Sequence, residues 1–174
     1  MKPFSTFLWR ITSAHVITYF LAGTMAFFLL DYREIFETPP LSYFMKPTNS
    51  PAVAAGPALQ LIRGFIFSIA LWPFRDIFLN TKKGWLKLWV LLIGLSILST
   101  TAAGPGSIEG FIYTTIPIKK QIAGYLEVLP QTGLFSLIVC YWYKKPKKAW
   151  QVISIILVSL ILLMSLLGVM MAKP

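Results

Sequence analysis

Apolar stretches of about 20 residues recur along this chain, each long enough to cross the hydrocarbon core of a bilayer at about 1.5 Å of helical rise per residue. All six tryptophans (Trp9, Trp72, Trp85, Trp89, Trp142, Trp150) fall at alternate ends of these stretches, together with most of the lysine and arginine. In lipid a spanning segment must satisfy its own backbone N–H and C=O groups, which leaves the helix as the solution for runs of this length. The expected fold is therefore all-α, a polytopic transmembrane bundle of about five helices. The spans are read at 11–30, 58–79, 85–103, 122–143 and 150–172, inside one membrane domain covering 1–174.

Composition agrees with this reading. The chain is 56% hydrophobic and 13% charged, against about 45–50% and about 25% in soluble domains. A soluble domain so built would expose too much apolar surface. In a soluble protein the net charge of +10 would suggest nucleic acid. Here it reflects lysine-rich turns facing anionic lipid headgroups, and no nucleic-acid partner is expected.

Five crossings place the termini on opposite sides. Lys2, Arg10, Arg75, Lys82, Lys83, Lys87, Lys144, Lys145, Lys147 and Lys148 share the N-terminal side with one acid, Asp76. The remaining basic residues share the other side with Asp31, Glu34, Glu37, Glu109 and Glu127. The excess of basic residues predicts a cytoplasmic N-terminus and an outer C-terminus, in a plasma or bacterial inner membrane. The first apolar run exceeds the roughly 7–15 residues of a signal peptide and lacks a small-x-small site, so it reads as a retained span.

Between spans, 31–57 is a long outer loop, and Ser50-Pro51 within it reads as an N-cap followed by proline at the first helical position. Pro73 and Pro130 are expected to kink the second and fourth spans. Asn80-Thr81-Lys82-Lys83-Gly84 and Lys144-Lys145-Pro146-Lys147-Lys148 are basic turns. The segment 104–121 is too apolar for an ordinary loop and is expected to be interfacial or re-entrant. Gly64-x-x-x-Ser68 and Ser96-x-x-x-Thr100-x-x-x-Gly104 are small-residue stripes suited to close packing of the second and third helices.

Ionisable side chains at membrane depth are costly and mark sites by default. They sort into two layers. The outer one holds Arg63 and Glu127, with Gln131 four residues on along the same helix face and Glu109 on the same side. An Arg63–Glu127 pair would satisfy both charges, and a free Arg63 offers its fork of donors to an anion. The inner layer holds His15, Arg75 and Asp76, with His15 on a stripe that includes Tyr19, Ala22 and Ala26. For both layers the alternative is plain inter-helix packing.

Cys140 is the only cysteine and His15 the only histidine, which excludes an intrachain disulfide and the usual zinc and haem sites. No metal or cofactor is expected. No Gly-x-Ser-x-Gly elbow or phosphate loop occurs, so no catalytic residue is assigned. Three functions follow from the pattern. One is a membrane protein that binds or passes a small solute, ion or lipid at an outward-facing polar site. The others are a non-catalytic subunit or assembly factor, as a homo-oligomer or with a membrane partner, and an intramembrane enzyme acting on a lipid headgroup.

Overall fold

Helix α1 (Phe4–Leu29) starts well before its apolar run does, because Phe4 and Phe7 pack edge-on against Trp72 at 5.1 and 5.2 Å between ring centroids. A computed structural model describes residues 3–172, and Lys2 and Lys173 of the charge balance lie outside them. The described residues are 77% helical, with no strand among them. Three helical stretches are long and apolar enough to cross a membrane: Phe4–Leu29, Ile118–Lys144 and Lys148–Met171. Two shorter apolar ones, Gly56–Leu71 and Gly84–Leu98, lie between them.

Asp31 ends α1 by taking the left-handed conformation (φ 48°), which a short polar side chain tolerates better than most. Its carboxylate then accepts from the Glu34 N–H at 3.5 Å and starts α2 (Tyr32–Glu37). The 31–57 loop is therefore partly helical. Further along it, Ser50 accepts from the Val53 N–H at 3.4 Å and Pro51 opens α3 (Pro51–Ala54), as the sequence pattern predicts.

Helix α4 (Gly56–Leu71) runs antiparallel to α1 in a regular register. Trp72 meets Phe4, the Ser68 hydroxyl reaches the Leu8 carbonyl at 3.4 Å, Gly64 faces Thr12, and Gln60 meets His15. The Gly64/Ser68 stripe thus packs on the first helix rather than the third. Pro73 does more than bend this helix. It lacks the N–H needed to continue, and the chain turns on three-residue bonds from Phe74 to Leu71 and from Arg75 to Trp72 before α5 (Arg75–Leu79).

Gly84 closes the first basic turn, where any Cβ would collide with the Phe78 carbonyl. Helix α6 (Gly84–Leu92) widens into a π-helical turn over Ile93–Leu98, closed by the Ser99 N–H donating to the Gly94 carbonyl at 3.0 Å. Next come α7 (Ile108–Tyr113) and α8 (Ile118–Ala123). They fold around Gln121, which is 1% exposed, accepts from Gly106 N–H at 3.2 Å and donates to the carbonyls of Gly110 and Ile116 at 3.3 and 2.9 Å. Helix α9 (Tyr125–Lys144) passes through Pro130 without interruption, and α10 (Lys148–Met171) completes the chain.

Helix α1 is the centre of the packing. On one side Phe7 and Ile11 join Leu71, Leu88, Leu92, Phe135 and Val139 in the main core. On the other, Val16 packs with Val158 and Ile161 of α10, and the Trp9 indole donates to the Ser154 hydroxyl at 3.0 Å. All six tryptophans lie within a few residues of the end of a helical stretch. Trp89, like Trp9, also donates into a neighbouring helix, to the Leu129 carbonyl at 3.1 Å and the Thr132 hydroxyl at 3.2 Å of α9.

Candidate functional site

Because α1 begins at Phe4 and not near Ile11, His15 sits close to the middle of the helix. The α1–α4 register then sets it beside Gln60, with Nε2 3.0 Å from Gln60 Oε1. Gln60 uses its own Nε2 to donate to the Gly56 carbonyl at 3.2 Å, so its oxygen faces the imidazole. His15 must therefore donate from Nε2, which makes Nδ1 the nitrogen with a lone pair. The ring is held edge-on by Phe67 at 4.9 Å and Phe135 at 6.1 Å. His15 thus lies at the level of Arg63 and does not share one with Arg75 and Asp76.

Arg63 lies one turn beyond Gln60 on α4. Its guanidinium sits 5.6 Å from the centre of the Phe67 ring. His15, Arg63 and Gln131 together line a cavity of about 230 Å³. Ser96 and Thr100 line it as well, together with Gly104 and Pro105 of the 104–121 segment. The Ser96/Thr100/Gly104 stripe faces this space instead of serving helix packing. Irregular backbone at such a position, here the π turn, is tolerated where it lines a cavity. The lining holds one guanidinium, one imidazole, one amide and several hydroxyls, and no carboxylate.

The expected Arg63–Glu127 pair does not form. The ion pairs among the described residues are Arg33–Glu37 and Arg75–Asp76. Arg63 and Glu127 sit on α4 and α9, which each pack along α1. Glu127 instead accepts a hydrogen bond from the Tyr32 hydroxyl, and its other oxygen lies toward Gly23, 3.6 Å from where a Cβ would stand. Burial, followed by this bond, pushes the Tyr32 hydroxyl well above its ordinary pKa and keeps it a donor. Glu127 and Gln131 do share one face, as their spacing predicts: both line an apolar cavity of about 240 Å³ against Ala22 and Ala26. Gln131 also reaches the Arg63 cavity, whereas Glu127 does not.

Glu109 takes no part in the Arg63 cavity. It occupies the first turn of α7, where Ser107 caps the helix by accepting from Gly110 N–H at 2.9 Å. At the opposite end of the bundle, Arg75 donates to the Trp72 carbonyl at 2.8 Å, stacks on that indole at 4.1 Å and pairs with Asp76 at 3.6 Å. Asp76 also accepts from Asn80 at 3.0 Å. Arg10 joins this layer in the place expected for His15, lining a void of only about 20 Å³ and donating to the Trp142 carbonyl at 3.3 Å. There is no room there for a ligand larger than water.

Gln60, Tyr32 and Thr132 were not among the residues expected from sequence. Gln60 carried a usable signal, a polar side chain three residues from Arg63 on one face of an apolar run. Tyr32 carried none, since a tyrosine at a helix end reads as an interfacial anchor. Among the described residues no group of three or more histidine, cysteine, aspartate or glutamate side chains is placed to hold a metal ion. Comparison with protein-family models, with curated proteins and with solved structures gives no match.

Proposed function

We propose that this chain is a multi-pass membrane protein that binds a small anionic group in the His15–Arg63–Gln131 cavity. The group is a solute anion or the phosphate of a lipid headgroup. One observation carries the reading: Arg63 lines the cavity with no carboxylate in the lining and no ion pair of its own among the described residues. A guanidinium at membrane depth is costly unless an anion or water receives its donors. Thr100, Thr132, Gln131 and the His15 ring place further polar groups around the same space.

The reading takes five crossings with the N-terminus cytoplasmic. What supports it is that α4 runs antiparallel beside α1 and that α6 packs along α9, so both shorter helices cross the bundle with longer ones. The 104–121 segment then closes the cavity on the outer side, and the basic turns at 80–84 and 144–148 meet anionic headgroups on the inner side.

The test uses purified protein in nanodiscs of uncharged lipid, titrated with inorganic phosphate, and in parallel discs containing phosphatidylglycerol. Wild-type melting temperature rises in one or both arms, and the arm identifies the source of the anion. Arg63→Gln removes the rise. An equal rise in Arg63→Gln, or none in the wild type, defeats the proposal.

A further inference from the structure

A further cavity, of about 420 Å³, lies on the other side of α1, between the start of the 31–57 loop, α9 and α10. It falls within the size range of small-molecule sites. Its chemistry is the reverse of the Arg63 cavity. The lining contains six aromatic rings, Tyr19, Phe20, Phe27, Phe28, Tyr32 and Phe36, and one charged group, the Glu127 carboxylate; lysine, arginine and histidine are absent from it.

We propose that this cavity is a site for an organic cation, specifically a quaternary ammonium group. Aromatic faces carry negative charge density and attract a cation within about 6 Å of the ring centre, most strongly where water is excluded. Tyr32 and Phe36, both half-buried, stack at 5.3 Å with 21° between planes, and Phe27 meets Phe28 edge-on at 5.5 Å at the exposed rim. Glu127 supplies the counter-charge. One of its oxygens is engaged by Tyr32, and the other lies toward Gly23 on the α1 side of the cavity.

The same features argue against a bare metal cation. Such an ion is held by several oxygen ligands with enough negative charge among them, and Glu127 is the only carboxylate in the lining, beside the neutral hydroxyls of Tyr19, Thr24, Tyr32 and Thr48. A methylated ammonium is weakly hydrated and fits an apolar wall with a single acid. The group belongs to a choline-type lipid headgroup or to a free quaternary ammonium solute.

Choline and its neutral isostere 3,3-dimethylbutan-1-ol separate charge recognition from simple apolar filling. Binding of each is measured by calorimetry on the full chain in phosphatidylglycerol nanodiscs. Choline binds at least about tenfold more tightly than the isostere, and Glu127→Gln removes about that factor. Phe28→Leu, which keeps the wall apolar, weakens choline severalfold and serves if Glu127→Gln does not fold. Repeating the titration in phosphatidylcholine discs identifies the source: choline is displaced if the lipid headgroup is the occupant and binds unchanged if a free solute is. Glu127→Gln still binds inorganic phosphate as the wild type does, which separates this site from the Arg63 cavity. Equal binding of choline and the isostere, no binding of either, or choline binding untouched in a folded Glu127→Gln or Phe28→Leu protein overturns the proposal.

Discussion

Gly64 faces Thr12 so closely that a Cβ added to the glycine would stand 2.7 Å from the Thr12 Cα. This contact sets the separation of α1 and α4, and through it the meeting of His15 with Gln60. A side chain at Gly64 must push the helices apart, at a cost of about 1–3 kcal/mol for overpacking. Gly64→Leu is expected to lower the melting temperature in detergent clearly below that of the wild type. An unchanged melt would show that α4 does not pack on α1 as described.

Gln60→Leu leaves a buried imidazole donor without its acceptor, which costs about 1–3 kcal/mol. The effect is expected to vanish when His15 is also replaced. A double-mutant cycle with His15→Leu checks this, and a coupling energy near zero would mean the two side chains do not interact.

Gln121 ties the 104–121 segment together through bonds to Gly106, Gly110 and Ile116. Gln121→Leu keeps the volume and removes every one of these bonds. Limited proteolysis is expected to cut between α7 and α8 faster than in the wild type, while the Trp89–α9 contacts are retained. Equal cleavage of both proteins would contradict the role of Gln121.

Tyr32 is held protonated above the ordinary tyrosine range by burial and by Glu127. Its folded pKa is raised, so the stabilisation is complete below the unfolded value near 10 and declines as pH rises beyond it. Chemical denaturation across alkaline pH is expected to show this decline in the wild type and a shallower one in Tyr32→Phe. Parallel curves would remove Tyr32 from the account.

Much of the fold is legible in the residues. The Ser50-Pro51 cap, the glycine-closed turn at 80–84 and the shared face of Glu127 and Gln131 all follow from local rules that tertiary packing leaves intact. The helix starts do not. Hydropathy places the first span at Ile11, but aromatic packing of Phe4 and Phe7 on Trp72 extends the helix earlier, which lifts His15 out of the Arg75 layer. Pairing across the bundle is also invisible from one-dimensional spacing. Arg63 and Glu127 have opposite charges at similar depths, yet α4 and α9 each pack along α1, so one faces a polar cavity and the other a tyrosine. Polarity along each helix is written in the sequence, whereas the relative height and azimuth of side chains in the bundle are set by register.

For the proposed function the His15–Arg63–Gln131 cavity must be water-accessible and positively charged. The most direct test is thiol modification at Thr100→Cys, in protein whose buried Cys140 is replaced by alanine. Rates are taken with sulfonatoethyl and trimethylammonioethyl methanethiosulfonate, each normalised to a free thiol. The anionic reagent is expected to react faster by about fivefold or more, the effect of one nearby fixed charge in a partly shielded space, with Arg63→Gln returning the ratio to about one. A thiol unreactive to both reagents, or a ratio indifferent to Arg63→Gln, would contradict the account.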